Sequence, residues 1–119
     1  MKPKRRAAIT LVAVLGLAGP ACSSKSPEPV ACPSPVSSTT VTVVDYAFDP
    51  MCTGASPGAT LTVKNTGAIP HTFTVTGTSI DVPLAVGETK QVPLTGLAAG
   101  TYAVVCTLHP QMRGSLKVG

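Results

Sequence analysis

Residues 100–112 have the sequence Gly100-Thr101-Tyr102-Ala103-Val104-Val105-Cys106-Thr107-Leu108-His109-Pro110-Gln111-Met112. The first part predicts a β-strand from Thr101 to Cys106, with Tyr102, Val104 and Cys106 on one face. The second part places Cys106, His109 and Met112 at even three-residue intervals. A strand that ends in a thiol, followed closely by an imidazole and a thioether, indicates a metal site.

The chain has one other histidine, His71, in the sequence Pro70-His71-Thr72-Phe73. Two imidazoles, a thiolate and a weak axial methionine sulfur are the ligands of a blue copper site, which suits an ion that alternates between soft Cu(I) and harder Cu(II). A single buried histidine is more often a hydrogen-bonded core residue, and Met112 alone would indicate packing. Together, the four residues predict one copper ion and one-electron transfer.

Residues 39–119 show alternation with a period of two and frequent turn residues, and no stretch repeats every 3.6 residues. The predicted strands are Thr39 to Phe48, Thr60 to Asn65, His71 to Thr76, Ile80 to Pro83, Lys90 to Leu94, Thr101 to Cys106 and Ser115 to Val118. Short strands at roughly ten-residue spacing predict a sandwich or small barrel. The alternation also turns His71 to the inner face with Phe73 and Val75.

Residues 1–21 are predicted to be a signal peptide. A basic start precedes an apolar run, residues 7–19, which is too short to span a bilayer stably and is followed by small residues and Cys22. Residues 17–22 resemble a bacterial lipoprotein cleavage site, although Gly19 and Ala21 would also suit ordinary cleavage. We expect an exported protein, in the periplasm or on the outer face of the bacterial cytoplasmic membrane, with Cys22 as the candidate lipid anchor.

Residues 22–38 are rich in serine and proline and have no apolar periodicity, which predicts a tether. A polyproline-like chain rises ~3.1 Å per residue, so the tether would hold the domain up to about 50 Å from a membrane. If Cys32 is disulfide-bonded, only the first half of this tether is free.

The charges of the exported part are balanced. The pI of 9.1 would favour a polyanionic partner, but four of the nine basic residues lie in the signal segment. From Cys22 onward, five basic residues oppose five acidic ones. This balance removes the case for nucleic acid as a partner.

Four cysteines in an exported chain would ordinarily form two disulfides. If Cys22 is lipidated, Cys32 and Cys52 are the candidate disulfide and Cys106 is left unpaired. Metal ligation would protect such a thiol from oxidation. The alternative is a disulfide between Cys22 and Cys32, with a buried, inert Cys106.

The chain resembles the cupredoxin family of small type 1 blue copper proteins, within it the amicyanin-like and plastocyanin-like members. The resemblance is carried by Tyr46-Ala47-Phe48-Asp49-Pro50, by residues 58–65, by Pro70-His71-Thr72-Phe73 and by the stretch from Gly100 to Gly114. It implies a single all-β domain over residues 39–119, built as an antiparallel Greek-key β-sandwich.

The resemblance also implies a role for each site residue. His71 and His109 would bind copper through imidazole nitrogens, Cys106 through its thiolate and Met112 through a long axial bond. Asn65 would brace the ligand loop near the cysteine sulfur. His109 would lie near the surface, as the electron port, inside an apolar patch. Candidates for that patch are Met51, Pro70 and Pro110.

The predicted function is a monomeric one-electron carrier, not an enzyme, that works between a donor and an acceptor redox protein. The alternative is a copper-handling protein, a chaperone or store of the cell envelope, which should favour exposed Met- or His-rich ligands. A thiol enzyme that uses Cys106 would need a cleft and an orienting group, and the chain offers little of either.

Overall fold

The computed structural model describes residues 27–119 and forms a single all-β domain, as the sequence predicts. Its strands are β1 (Val36–Ser37), β2 (Thr40–Val44), β3 (Ala47–Asp49), β4 (Cys52–Ala55), β5 (Thr60–Asn65), β6 (His71–Val75), β7 (Asp81–Leu84), β8 (Thr89–Pro93), β9 (Gly100–Cys106) and β10 (His109–Val118). Within residues 27–119 no helix is long and apolar enough to cross a membrane. The predicted signal peptide and Cys22 lie outside the described residues.

The strands form two sheets. One has six strands in the order β1-β4-β10-β9-β6-β7, and the other has four in the order β3-β2-β5-β8. Three neighbouring pairs are parallel, β1 with β4, β4 with β10, and β2 with β5. The sheets are therefore mixed, with three parallel pairs beside five antiparallel ones in the sandwich that the resemblance implied to be antiparallel.

The parallel pairs follow from crossings between the sheets. After β2 and β3 the chain enters the six-stranded sheet as β4, and it returns to the four-stranded sheet as β5. A strand that returns after such a crossover can lie parallel to the strand it joins, whereas a tight hairpin requires antiparallel neighbours. Alternation in a sequence shows which face a side chain takes but carries no information on strand direction.

Several strand boundaries differ from the prediction, and β10 begins at His109, six residues before the predicted start at Ser115. The predicted strand from Thr39 to Phe48 is a hairpin, because Asp45 and Tyr46 form a turn between β2 and β3, with Tyr46 in the left-handed region at φ 64°. The segment Cys52–Ala55 is strand β4, which was not among the predicted strands. Pairing with both β1 and β10 holds β4 in place despite its weak intrinsic preference.

The hydrophobic core lies between the two sheets. Leu61 and Val63 of β5 and Phe73 and Val75 of β6 are buried at alternating positions, as the period of two requires. Phe48 meets Phe73 edge to face, with ring centroids 6.0 Å apart. Burying one such side chain contributes about 1.5–3 kcal/mol, so this core stabilises the strands that carry the site.

The described part of the predicted tether is attached to the domain at several points. A disulfide joins Cys32 to Cys52 at the start of β4. The Ser115 hydroxyl donates a hydrogen bond to the carbonyl of Val30 at 2.6 Å. Strand β1 then pairs with β4. These contacts anchor the chain from residue 30 onward.

Candidate metal centre

Three predicted ligands meet at one end of the six-stranded sheet. Cys106 is the last residue of β9, His71 the first of β6 and His109 the first of β10. Because β9 runs antiparallel to both neighbours, the end of β9 lies beside the starts of the other two strands. One sulfur and one nitrogen from each histidine all lie within 4.8 Å of one another. The fold thus gathers two imidazole nitrogens and one thiol sulfur, although His71 and Cys106 are 35 positions apart in the chain.

Cys106 is a free thiol in a buried place, with 1% of its surface exposed. Its sulfur accepts a hydrogen bond from the backbone N–H of Thr72 at 3.3 Å. The ladder between β6 and β9 ends at the pair Thr74 and Val105, so the Thr72 N–H is free to point at the sulfur.

This hydrogen bond bears on the protonation of the thiol. Burial by itself would raise the pKa of Cys106, but the backbone N–H donors of Thr72 and Leu108 stabilise the thiolate and contribute to holding the pKa below its ordinary value of 9.0. Since the thiolate is the form that ligates metals, the site favours the ligating form of the sulfur.

His71 is buried and uses its two ring nitrogens in different directions. Nδ1 lies 3.8 Å from the Cys106 sulfur, and Nε2 lies 2.9 Å from a carboxylate oxygen of Asp45. A carboxylate accepts hydrogen bonds, so in the neutral ring the tautomer that satisfies Asp45 has its proton on Nε2 and its lone pair on Nδ1. The hydrogen bond to His71 and a backbone N–H from Ala68 keep the pKa of Asp45 below its usual value.

His109 is half-buried and is surrounded by rings. Its imidazole lies 5.0 Å from that of His71 and 5.1 Å from the ring of Tyr46, between centroids. Tyr46 is 66% exposed. Of the expected patch residues, Met51, Pro70 and Pro110 are all exposed, but the aromatic ring beside His109 belongs to Tyr46, which the sequence did not single out.

Met112 lies in an irregular part of β10. His109 pairs with Cys106 and Arg113 pairs with Val105, so residues 110–112 bulge out of the ladder between them. The Met112 side chain is completely buried and belongs to the same core cluster as Cys106. The bulge lets the chain turn this thioether inward although it follows so closely on a surface histidine.

Asn65 is buried at the end of β5 and supports the loop that leads to His71. Its side-chain NH2 donates to the carbonyls of Ile69 and Leu84 at 3.0 and 3.1 Å, and its carbonyl accepts from the N–H of Gly67 at 2.9 Å. The hydrogen bond to the Cys106 sulfur comes from Thr72. Asn65 therefore holds the histidine loop, and a backbone group holds the sulfur.

A second contact ties the cysteine loop to the histidine strand. The N–H of Thr107 donates to the hydroxyl of Thr72 at 2.9 Å, and the Thr72 hydroxyl also lies 3.3 Å from that of Thr107. Thr72 therefore holds both sides of Cys106, by its main chain and by its side chain. Its position after His71 on a strand, where alternation predicts an outward side chain, gave no sign of this role.

The donor types fit copper. A thiolate and two imidazoles, with a buried thioether in the same core cluster, match the ligands that blue copper sites use, whereas zinc sites rarely include methionine. The described residues contain no buried side-chain nitrogen or oxygen without a hydrogen-bond partner. The surroundings of the cluster are therefore satisfied before any ion binds.

Comparison with known proteins places this geometry in a family. A family model described as a cupredoxin-like domain matches residues 7–118. The methylamine utilization protein MauL of Methylophilus methylotrophus is 29% identical over 115 residues. That match takes in 93% of this chain but 66% of the relative, so the chain spans slightly less than two thirds of the relative's length.

Solved structures show the same fold. A structure of oxidised amicyanin is 25% identical, with a TM-score of 0.57 over 82% of this chain and 95% of that one. A purple cupredoxin from Nitrosopumilus maritimus is 19% identical, with a TM-score of 0.59 over 67% of this chain and 98% of that one. With the family model covering nearly its whole length, the chain belongs to the cupredoxin-like domain family.

Proposed function

We propose that this protein is an exported type 1 copper protein that carries single electrons between a donor and an acceptor redox protein. One copper ion would be held by His71, Cys106, His109 and Met112. The observation that carries the proposal is the meeting of two imidazole nitrogens and a free, buried thiol within 4.8 Å. Met112 is fully buried in the same core cluster as Cys106. A bound copper ion would supply the one-electron couple.

The protein's own contribution is a rigid donor set. His71 and Cys106 are fixed by strands and by hydrogen bonds to Asp45 and Thr72. Because these contacts come from the protein itself, they would hold the two donors in place in both oxidation states. His109, half-buried at the surface end of the cluster, is the route by which an electron enters or leaves.

A set of three strong donors and one weak donor leaves no open position for a substrate, so we propose a carrier and not an enzyme. The partners are redox proteins. Near-neutral charge in the exported part favours docking through apolar contacts around His109 over strong electrostatic steering. A monomer is the simplest form that keeps this surface accessible.

Export is part of the proposal. Residues 1–21 would direct it, and Cys22 would carry a lipid in the periplasm or at the outer face of the cytoplasmic membrane. The disulfide between Cys32 and Cys52 is consistent with an oxidising compartment. Because the chain is attached to the domain from Val30 onward, the free tether would comprise only about eight residues, or roughly 25 Å.

The test is a visible absorption spectrum of the exported protein, residues 23–119, with one equivalent of Cu(II) and then a reductant. An intense blue band that bleaches on reduction and returns on oxidation supports the carrier. The variant Cys106→Ser is the matched control, since it removes the thiolate and little volume. Copper bound without the band would refute Cys106 as a ligand and favour a copper-handling protein or a structural role. A band kept by the variant would refute the ligand assignment.

A further inference from the structure

Asp45 makes an unusual set of contacts for a residue in a hairpin turn. It lies between β2 and β3, 26 positions before His71, and its carboxylate is 2.9 Å from His71 Nε2. Both carboxylate oxygens also accept from the backbone N–H of Ala68, at 3.0 and 3.1 Å. Asp45 therefore joins the four-stranded sheet to the loop that precedes His71.

The surroundings of Asp45 are shaped to allow these contacts. Tyr46 takes the left-handed conformation that closes the turn, and only 37% of the Asp45 side chain remains exposed. Gly67 lies in the opposing loop, next to the Ala68 N–H that contacts the carboxylate. A Cβ at Gly67 would collide with Asp45 Oδ1 and would lie 3.1 Å from His71 Nε2. The carboxylate fits beside the imidazole because this loop position has no side chain.

We propose that Asp45 is a positioning residue that holds His71 with Nδ1 turned to the metal and lowers the reduction potential of the bound ion. The inference rests on the proposed copper site. Asp45 touches His71 and not the cluster's sulfur, so it acts through the histidine. Its two effects, orientation and charge, are separable by experiment.

The orientation effect follows from hydrogen bonding. When Nε2–H donates to the carboxylate, the lone pair is on Nδ1, the nitrogen that faces Cys106. A partner on the outer nitrogen fixes both the tautomer and the plane of a ligating imidazole and makes it a stronger donor. Without Asp45, Nε2 would lose the hydrogen bond that selects it as the protonated nitrogen. The tautomer with its proton on Nδ1 would then compete, and that form has no lone pair on Nδ1 to offer a metal.

The charge effect follows from the sign of the carboxylate. Reduction takes the ion from Cu(II) to Cu(I) by one electron from the donor protein, so the oxidised site carries one more positive charge. A negative group close to a ligand stabilises the more positive state. Asp45 therefore favours Cu(II), and its removal should raise the potential.

The first experiment uses the copper-free exported protein and requires no bound metal. Nitrogen-resolved NMR of the imidazoles at about pH 8, where histidine is ordinarily neutral, should show a His71 Hε2 proton that exchanges slowly with water. Asp45→Ala should lose this slow signal. The same signal in both proteins would overturn the positioning role.

The second experiment measures charge with the copper-loaded protein. Asp45→Asn keeps the shape and an acceptor oxygen but loses the charge, and we expect its reduction potential to rise. The matched control is Asp81→Asn, which makes the same change of charge on β7 at a carboxylate that bonds the Thr74 hydroxyl and not the histidines. Equal potentials in these two variants would overturn the charge role.

Two further measurements complete the test. Asp45→Ala should weaken Cu(II) binding by roughly 10-fold or more in competition with a chelator, the range seen when such supporting groups are removed. Gly67→Ala should act in the same direction, because its methyl displaces the carboxylate without deleting it. Unchanged affinity in both variants would contradict the inference.

The proposed function and this inference fail in different ways. If the wild-type protein binds copper without a blue band, the proposed function fails, while the NMR comparison still decides whether Asp45 orients His71. If the blue band is present and the Asp45 variants match the wild type in exchange, potential and affinity, only the inference fails.

Discussion

The hydroxyl of Thr72 offers a sharp test of how the site is held together. The residue is 7% exposed, and its hydroxyl accepts from the N–H of Thr107 at 2.9 Å. Thr72→Val replaces the hydroxyl by a methyl of similar size and leaves the main chain, including the N–H that bonds the Cys106 sulfur, in place. The substitution therefore removes one tie between the histidine strand and the cysteine loop.

The expected cost follows from what the lost hydroxyl leaves behind. The N–H of Thr107 loses its partner in a partly buried place, which costs about 1–2 kcal/mol. The two other hydroxyl contacts add little. The Thr74 hydroxyl keeps its hydrogen bond to Asp81 at 2.9 Å, and the exposed Thr107 hydroxyl can turn to water. We expect Thr72→Val to be less stable by about 1–2 kcal/mol.

The assay is urea unfolding of the copper-free protein, with thermal unfolding beside it. For a domain of this size, 1 kcal/mol corresponds to roughly 4–8 °C in Tm. The control is Thr62→Val on β5, where the hydroxyl meets only the Gln91 side chain in an exposed place. This control makes the same change in β propensity and in side-chain chemistry, so the difference between the two variants isolates the buried hydrogen bond.

The result that would refute the reasoning is equal stability of the two valine variants. It would mean that water or a small shift of the loop satisfies the Thr107 N–H, and that the Thr72 hydroxyl does not hold the cysteine loop to the histidine strand. The blue band of the copper-loaded Thr72→Val protein provides a second check. It should be retained, because the backbone donor to the sulfur is unchanged.

Three other predictions concern Met112, Gly114 and Asp45. Met112→Leu should leave copper bound and raise the reduction potential, since loss of an axial donor destabilises Cu(II); an unchanged potential in voltammetry would show that Met112 is not the axial ligand. Gly114→Ala should destabilise the domain by about 1–3 kcal/mol in urea unfolding, because the new Cβ would lie 2.7 Å from the Met51 carbonyl oxygen. A gain in stability, which alanine often gives at an unstrained glycine, would contradict this prediction. The pKa of Asp45 is lower in the folded protein than its ordinary value of 3.8, so the charged carboxylate stabilises the folded state above that value, and this stabilisation is lost as pH falls through the folded pKa. Copper-free wild type should therefore lose more stability than Asp45→Asn when the pH falls below 3.8. Parallel losses in the two proteins would argue against the contact.

The identity of the donors could be predicted from the sequence because it depends on residue types and short spacings. Cys106, His109 and Met112 are neighbours along the chain, and a free thiol in an exported protein calls for an explanation. His71 could be added since the chain has one other histidine. Its inward direction followed from the period of two, and the structure buries it beside Phe73.

The hydrogen bonds that hold the site residues in place could not be predicted in this way. Asp45 reaches His71 across 26 residues, and Thr72 reaches Cys106 across 34. Each contact depends on which strands become neighbours and where a ladder ends. Alternation places Thr72 on the face opposite Phe73, and its hydroxyl does lie 3.0 Å from that of Thr74; what alternation could not show is that Thr107 of the cysteine loop contacts this hydroxyl.

The sequence by itself determined an all-β domain, the faces of its strands and the four candidate donor residues, because these depend on alternation and on the chemistry of single side chains. Only the tertiary structure decided the mixed strand pairing, the strand at Cys52–Ala55, the carboxylate behind His71 and the ring of Tyr46 beside His109. These features arise where segments distant in sequence meet. Local preferences limit which secondary structure each segment can form, and only the packing of the two sheets determines which strands become neighbours.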